Sequence, residues 1–272
     1  MEIMAAGVDI GSTTAKSAVI FNDEIYYGPI LQTGARPTEA GEKALKEAIA
    51  RAPAISNLNV ENIDRKYIVA TGYGRVKAPF SDETVTEISC HGRGAHHISP
   101  NVHTVIDIGG QDSKAIALGE NGRVIDFAIN DKCAAGTGRF LEFASKLVLE
   151  VPLEDLGKLS MNSNNPAKIS STCTVFALTE IVSLLAEGTS KEDIISGLHN
   201  AISQRVTAMA KKVGIRPEVM LTGGVSKNLG LRSSLSRELG VPVHIPEKID
   251  PQLVGALGAA LIAKSRLIKE EN

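Results

Sequence analysis

The sequence contains one short pattern twice in the same register, and this duplication constrains the fold more than any other feature. Residues 8–20 and 106–118 each contain an apolar strand that ends in an aspartate, then a glycine turn, then a second strand. Without a gap, the positions that coincide are Asp9 with Asp107, Gly11 with Gly109 and Lys16 with Lys114. The duplication predicts two similar lobes, each offering a carboxylate and a glycine turn to a shared cleft. Such a cleft suits the phosphates of a nucleotide and their metal ion.

The composition argues against several classes of protein. The 272 residues are enough for one large domain or for two lobes of ordinary size. The chain has 29 basic and 31 acidic residues, so we expect no basic surface for nucleic acid. No stretch approaches the roughly 18 apolar residues of a membrane span, and the first residues lack the features of a signal peptide. Three cysteines without a paired framework are typical of a reducing compartment. We therefore expect a cytoplasmic protein that binds neither nucleic acid nor membrane.

Strands and helices alternate through both halves of the chain, which predicts an α/β architecture. Besides the two hairpins, the predicted strands cover 67–70, 124–129 and 219–221. The predicted helices cover 38–51, 137–149, 191–213 and 253–269, and two more begin near 174 and 228. Apart from the duplicated hairpin, no further repeat is predicted.

Three glycine turns are candidates for binding a nucleotide. Glycine allows the main chain to approach a phosphate closely and to adopt positive φ. The phosphate candidates are Gly11, Ser12, Thr13 and Lys16 in the first copy and Gly109, Gly110 and Gln111 in the second. Asp9 and Asp107 are candidates to hold Mg²⁺ mainly through its waters, since Mg²⁺ dehydrates reluctantly. Gly223 and Gly224 follow a predicted strand and suit a flat adenosine. The chain lacks the Walker and Gly-x-Gly-x-x-Gly sequences, which disfavours P-loop and ordinary dinucleotide folds.

Cys133 and Cys173 are candidates for a different chemistry. Each lies in a loop of small or hydroxylic residues just before a predicted helix, where the helix dipole and free N–H groups stabilise a thiolate. Their spacing alone favours two small buried residues, and it matches no zinc finger. Two thiolates also leave a four-iron cluster incomplete unless a two-fold dimer supplies two more.

The residues around these turns and cysteines resemble a known family. The two copies of the hairpin and the turn at 222–225 are similar to the phosphate-1, phosphate-2 and adenosine motifs of the acetate kinase, sugar kinase, Hsp70 and actin superfamily. Residues 130–141 and 170–177 closely resemble the ATP-dependent activators of 2-hydroxyacyl-CoA dehydratases and the related benzoyl-CoA reductase ATPase subunits. The resemblance runs from residue 5 to residue 264, and further segments that carry it are 70–75, 89–91 and 100–112.

This resemblance implies two ribonuclease-H-like, actin-like ATPase lobes around a nucleotide cleft. The first comprises residues 1–98 and 254–272, and the second, 99–253, carries the cysteines and the adenosine motif. The resemblance also implies a homodimer that binds ATP or ADP with Mg²⁺ and holds one [4Fe–4S] cluster through Cys133 and Cys173 of both subunits. The implied activity is ATP hydrolysis coupled to one-electron transfer to the dehydratase component of a 2-hydroxyacyl-CoA dehydratase, which starts radical dehydration. Reduced ferredoxin or flavodoxin is the implied electron donor.

Several polar residues have two interpretations. Gln111 and Glu180 are candidates for orienting the attacking water, but Glu180 also belongs to a polar helical stripe that solvent would cover. Lys16 and Lys114 either contact phosphate or end a hairpin face in water. Cys90 is followed by three histidines without the spacing of a metal site, which favours a packed helix.

Other functions remain open at this point. The partner of an electron-transfer protein would equally be a benzoyl-CoA reductase-type or other radical reductase. A small-molecule kinase of the same superfamily, whose cysteines only pack, would be colourless and indifferent to oxygen. A sensor module would use ATP only as a conformational ligand. The sequence does not identify the acyl-CoA, because an activator need not contact it.

Overall fold

The structure is a computed structural model that describes residues 3–52, 63, 65–170 and 173–269. The chain divides into two compact units. The first runs over Met1–Asn101, Gly119–Val124 and Glu247–Asn272, and the second over Val102–Leu118 and Ile125–Pro246. Within the described ranges, no helix is both long and apolar enough to cross a membrane.

Each unit is built on one mixed sheet. The strands are β1 Ile3–Ile10, β2 Thr14–Phe21, β3 Glu24–Tyr27, β4 Leu31–Gln32, β5 Arg65–Thr71, β6 Glu83–Thr84, β7 Thr104–Ile108, β8 Ser113–Leu118, β9 Val124–Asn130, β10 Val219–Thr222 and β11 Val243–His244. The helices are α1 Pro37–Ala50, α2 Glu87–Ile98, α3 Gly138–Phe143, α4 Leu156–Ser160, α5 Thr174–Ala186, α6 Lys191–Val213, α7 Leu229–Leu239 and α8 Val254–Lys269. The first sheet has the order β3-β2-β1-β5-β6, with β4 paired to β2, and the second has the order β11-β10-β7-β8-β9.

The duplicated hairpins have the same register, and the duplication extends further than predicted. Asp9 lies opposite Lys16 in the first hairpin, as Asp107 lies opposite Lys114 in the second. In each unit a parallel strand then joins the first strand of the hairpin, with Thr71 beside Asp9 in one and Thr222 beside Asp107 in the other. Only the hairpins are visible as a repeat in the sequence, because the third strands share a position in the sheet but little sequence.

Helices cover both faces of the first sheet. One apolar cluster lies between this sheet and α1, and another lies between the sheet and α8. The small residues of α8 allow contact at backbone distance, since a Cβ on Gly7 would lie 2.2 Å from the carbonyl oxygen of Ala256. Cys90 is fully buried in α2, as the packed-helix interpretation predicted. Among the described residues, no group of three or more His, Cys, Asp or Glu side chains is arranged to bind a metal ion.

The second unit has one large core to which α6 contributes Ile194, Leu198, Ile202 and Val206. The apolar periodicity of 191–213 predicted the bounds of α6 correctly. The helix predicted over 137–149 is less regular, because α3 ends at Phe143 and a π-helical turn over 144–149 follows.

Candidate nucleotide turns and cysteine loop

The first glycine turn lies directly above a buried ion pair. The Lys16 ammonium on β2 lies 2.9 Å from Oδ2 of Asp9, at the end of β1. The amide of Gly11 donates to the carbonyl of Thr14 at 3.0 Å and closes the turn. A Cβ on Gly11 would lie 3.3 Å from Lys16 Nζ, so a cation lies beneath this turn. Lys16 and Lys114 are both buried, and the alternative that they end a hairpin face in water is wrong.

A neighbouring segment braces the first turn. The Thr33 amide donates to the carbonyl of Thr13 at 2.9 Å, and the Thr33 hydroxyl donates to the carbonyl of Gly11 at 2.8 Å. The Thr13 hydroxyl is buried and has no hydrogen-bond partner within the described residues. Ser12 is half-buried beside it. The turn is therefore held in place while one hydroxyl keeps its hydrogen-bonding capacity.

The second turn repeats this backbone with different charges. The amide of Gly109 donates to the carbonyl of Asp112 at 3.0 Å. Lys114 Nζ lies 2.8 Å from Asp112 Oδ1 and 3.4 Å from Asp107 Oδ2. A Cβ on Gly109 would lie 2.9 Å from Asp112 Oδ1, so a carboxylate lies beneath this turn. Gly110 is half-buried and Gln111 is exposed at its tip.

In each unit a further glycine turn follows the parallel strand, and we call both of these turns third turns. Gly223 has φ +82° and ψ 172°, and Gly72 has φ +89° and ψ 175°, a region that is essentially restricted to glycine. A Cβ on either glycine would lie 2.4 Å from a carbonyl oxygen, that of Ile108 or Ile10 respectively. These glycines are required by the close approach of the turn to the first strand.

In both third turns, a side chain three residues after the glycine donates a hydrogen bond to the carbonyl of that glycine. The Ser226 hydroxyl donates to the carbonyl of Gly223 at 2.6 Å, whereas the Arg75 guanidinium donates to the carbonyl of Gly72 at 3.0 Å. In the second unit the Thr222 hydroxyl also donates to Asp107 Oδ1 at 2.9 Å. Gly224 is exposed, as contact with a ligand requires.

The Cys133 loop is ordered by polar contacts of its own. The Asn130 side-chain amide donates to the carbonyls of Cys133 and Ala135, and the Thr137 hydroxyl donates to the carbonyl of Ala134. The Cys133 thiol is half-buried, and Arg205 Nη1 lies 3.5 Å from its sulfur. A guanidinium stabilises negative charge on a sulfur.

The loop leads into a helix that is bonded to the second turn. The amide of Gly138 donates to the carbonyl of Gly109, and the amide of Arg139 donates to that of Gly110, each at 2.9 Å. A Cβ on Gly138 would lie 3.1 Å from both the Gly109 carbonyl oxygen and Val225 Cγ2. The start of α3 therefore contacts both the second glycine turn and the turn that follows β10.

Cys173 is the N-cap residue of α5, and its side chain is half-buried. Seven residues further on, the Glu180 carboxylate accepts a hydrogen bond from the amide of Ser170. Ser183 and Glu187, the other members of the predicted polar stripe, are exposed. Residues 171 and 172, part of the segment that carries the family resemblance, lie outside the described residues.

The structure adds four residues that the sequence analysis did not select. They are Asp112, which pairs with Lys114; Arg205, which contacts Cys133; Gly138, which meets the second turn; and Gly72, the counterpart of Gly223. Only the last had a signal in the sequence, since Thr-Gly follows an apolar strand in both units.

The chain is similar to known proteins over nearly its whole length. The model of the BadF/BadG/BcrA/BcrD ATPase family matches residues 6–263. The chain is 42% identical over 257 residues to the 2-hydroxyisocaproyl-CoA dehydratase activator of Clostridioides difficile, covering 94% of this chain and 93% of that protein. It is also 42% identical over 272 residues to the (R)-2-hydroxyglutaryl-CoA dehydratase activating ATPase of Acidaminococcus fermentans, covering 99% and 100%.

Solved structures agree on the fold. The activator of the 2-hydroxyisocaproyl-CoA dehydratase from Clostridium difficile with bound ADPNP matches with a TM-score of 0.88 at 40% identity, over 100% of this chain and 97% of that one. A ROK family glucokinase from Streptomyces griseus shares the fold alone, with a TM-score of 0.56 at 15% identity over 96% and 99%. The α/β fold is therefore that of the actin-like ATPases and sugar kinases. The chain belongs to the BadF/BadG/BcrA/BcrD ATPase family and is an ATPase.

Proposed function

We propose that this ATPase delivers a low-potential electron to a 2-hydroxyacyl-CoA dehydratase and activates it for radical dehydration. The observation that carries the proposal is the pair of hydrogen bonds from Gly138 and Arg139 to the second glycine turn. They connect a candidate phosphate-binding turn to the helix that follows Cys133. The relatives at 42% identity are named as dehydratase activators, which supports a dehydratase as the partner.

The nucleotide ligands we propose follow from the chemistry of the turns. Gly11, Ser12, Thr13 and Lys16 would bind phosphate, with the unpartnered Thr13 hydroxyl and the Lys16 ammonium as donors. Gly109, Gly110 and Gln111 would bind the phosphates from the second copy, and Gly223 and Gly224 the adenosine. Asp9 and Asp107 are buried carboxylates that fit a hydrated Mg²⁺, which would neutralise phosphate charge.

The two cysteines fit thiolate ligation of a [4Fe–4S] cluster. Both are partly accessible, Cys133 receives a charged donor from Arg205, and Cys173 lies at the N-terminus of α5, where the helix dipole favours negative charge. A cluster held there would supply one-electron transfer at low potential. Because one chain offers two such thiolates and the cluster needs four, we propose a two-fold dimer that shares it.

Exposed apolar residues near both cysteines support a subunit interface. On β9, which ends three residues before Cys133, Phe127 is 51% exposed. At the start of α5, Phe176 is 67% exposed. The other large exposed apolar side chains of these two elements are Ile125, Ile129, Val175 and Val182. Exposed apolar surface can mark protein contacts, and we assign these side chains to contacts with the second copy of the chain and with the dehydratase.

The chain transmits nucleotide state through its own backbone. A shift of the second turn displaces the amides of Gly138 and Arg139, which are bonded to it, and with them the α3 end of the Cys133 loop. Changing a one-electron potential by ~59 mV takes about 1.4 kcal/mol, so altered contacts such as that of Arg205 suffice for a substantial shift. Gln111, at the exposed tip of the turn, and Glu180 are our candidates for orienting the attacking water.

The test uses protein purified without oxygen. We expect a brown dimer with one four-iron cluster that hydrolyses ATP and passes electrons from reduced ferredoxin or flavodoxin to a dehydratase. Cys133→Ala and Cys173→Ala are expected to lose the iron and the electron transfer. Cys90→Ala is the matched control, because Cys90 is buried in α2, and it is expected to keep both. A colourless protein that transfers phosphate to a small molecule would instead favour a kinase.

A further inference from the structure

We propose that His199, a buried histidine of α6, positions the adenosine turn through Asn228. The inference rests on the proposed assignment of Gly223 and Gly224 to adenosine. His199 is 1% exposed and does not belong to any of the glycine turns or cysteine loops described above. Its role follows from a single contact, its Nε2 atom 3.1 Å from Nδ2 of Asn228.

The hydrogen bonds of Asn228 define which atom donates. Asn228 is the N-cap residue of α7, and its Oδ1 accepts from the amide of Leu231 at 2.9 Å. Nδ2 is therefore the atom that faces His199, and an amide nitrogen only donates. His199 Nε2 must accept, so the ring carries its proton on Nδ1 and is neutral. Burial acts in the same direction, lowering the pKa of His199 to about 3.

Asn228 is the residue at which the adenosine turn joins the rest of its unit. Its amide donates to the carbonyl of Val225 at 3.0 Å, closing the turn that Gly223 begins. On the other side, a Cβ on Gly157 would lie 2.9 Å from Asn228 Oδ1, so the α4 backbone leaves the side chain little room. The hydrogen bond that Asn228 Nδ2 donates to His199 Nε2 then fixes the orientation of the Asn228 side-chain amide.

The surroundings of His199 argue that it is not present for packing. Its Nδ1 has no hydrogen-bond partner among the described residues, and neither do the buried hydroxyls of Ser203 and Thr207, one and two turns further along α6. An unpartnered buried polar group destabilises a fold. An apolar residue would fill this site at lower cost, so the one bond that His199 makes accounts for its presence.

Three variants test the inference in the full-length protein. His199→Leu removes the acceptor, His199→Gln offers another acceptor, and Asn228→Ser keeps an N-cap oxygen but is too short to reach His199. We expect His199→Leu and Asn228→Ser to weaken ADP binding by about tenfold, as loss of one buried hydrogen bond does. His199→Gln is expected to stay within about twofold of the parent. Binding of inorganic tripolyphosphate is expected to be unchanged in all three.

The outcomes separate positioning from general stability. The inference is overturned if ADP affinity is unchanged in Asn228→Ser, if His199→Gln is as impaired as His199→Leu, or if tripolyphosphate binding falls in parallel. If His199→Leu does not fold, Asn228→Ser and His199→Gln decide the question by themselves. Iron content is measured on the same preparations, so absence of a cluster, which would refute the proposed function, is read independently of ADP affinity.

Discussion

The turn after β1 and the turn after β7 have the same backbone and opposite charges beneath it. Both close through an amide-to-carbonyl hydrogen bond of 3.0 Å. Beneath the first lies the Lys16 ammonium, and beneath the second lies the carboxylate of Asp112. Thr14 occupies the position in the first turn that Asp112 occupies in the second. Duplication has therefore preserved the path of the chain while the charges diverged.

This difference in charge predicts that the two turns bind different parts of the nucleotide and its metal ion. In the first turn one carboxylate and one ammonium cancel, and the ammonium lies closer to the turn. In the second, Asp107 and Asp112 share Lys114, which leaves one negative charge. Unit charges 4 Å apart interact by about 4 kcal/mol at an effective dielectric constant near 20. We therefore expect the first turn to favour phosphate alone and the second to favour phosphate that is accompanied by a hydrated cation.

The shared backbone predicts the largest and most symmetrical effects. Gly72→Ala and Gly223→Ala each add a Cβ 2.4 Å from a carbonyl oxygen, at a positive φ. We expect each to lower the free energy of unfolding by about 4 kcal/mol or more, measured by urea denaturation followed by circular dichroism. Gly34→Ala and Gly240→Ala are matched controls with positive φ but open space, and are expected to cost about 1 kcal/mol. If either Gly72→Ala or Gly223→Ala keeps the free energy of unfolding of the parent, the two third turns are not equivalent.

The ion pairs are expected to differ between the two units. Lys16→Met leaves the buried Asp9 carboxylate unpaired, at an expected cost of about 3–5 kcal/mol in the free energy of unfolding. Lys114→Met alone leaves two carboxylates, Asp107 and Asp112, without their shared cation, so the comparison uses the double variant Lys114→Met/Asp112→Asn. This double variant is expected to cost less than Lys16→Met by about 1.5–3 kcal/mol, because Asp107 keeps the hydroxyl of Thr222. Adding Thr222→Val to it removes that difference if the explanation is right. Equal costs for Lys16→Met and the double variant would contradict it.

The elements predicted well from the sequence are those with a local signal. The helix over 191–213 has a long apolar periodicity, and its predicted bounds coincide with α6. The two hairpins were predicted because their repeat lies within a dozen residues. Gly72 and Gly223 were not paired in the prediction, because their likeness lies in φ, ψ and sheet position, with only Thr-Gly in common.

The connections of the candidate site were beyond sequence reasoning for a related reason. That Lys114 contacts Asp112 as well as Asp107 depends on the conformation of a turn. That Gly138 meets Gly109, or that Arg205 reaches Cys133, depends on how helices pack on a sheet. Sequence patterns selected the candidate residues for the chemistry, whereas the contacts that couple them are tertiary.

Buried titratable groups predict that the units differ in their response to pH. In the second unit, the pKa of His199 is lowered from 6.5 to about 3 by burial, so the unfolded chain binds the proton first and stability falls as pH drops below 6.5. In the first unit, burial raises the pKa of the Cys90 thiol from 9.0 to about 12, so stability falls as pH rises above 9. Each slope is expected to be about 1.4 kcal/mol per pH unit.

Two variants test whether His199 and Cys90 cause these two pH dependences of the free energy of unfolding. His199→Gln is expected to flatten the acid side of the unfolding free energy by about 2 kcal/mol at pH 5, with no change on the alkaline side. Cys90→Ala is expected to flatten the alkaline side by about 1.4 kcal/mol at pH 10 and to leave the acid side as it is. Unfolding in urea at a series of pH values provides the measurement. An acid slope unchanged in His199→Gln would show that the ring is not neutral in the folded protein.

Exchanging the residues at positions 14 and 112 is expected to have the smallest effect on ADP binding. It is also the most direct test of whether the two turns prefer different charges. Thr14→Asp places a carboxylate in the first turn and is expected to weaken ADP binding by about tenfold at low salt, and by less at high salt. Thr14→Asn is the neutral control of similar size. Asp112→Thr removes the extra negative charge of the second turn, so we expect it to strengthen Mg²⁺-free ADP binding and to weaken the enhancement by Mg²⁺. Calorimetric titration of ADP with and without Mg²⁺ distinguishes the two turns. If Asp112→Thr alters ADP binding equally in both conditions, the second turn does not discriminate for the cation, and the divergence of charge between the two copies has another cause.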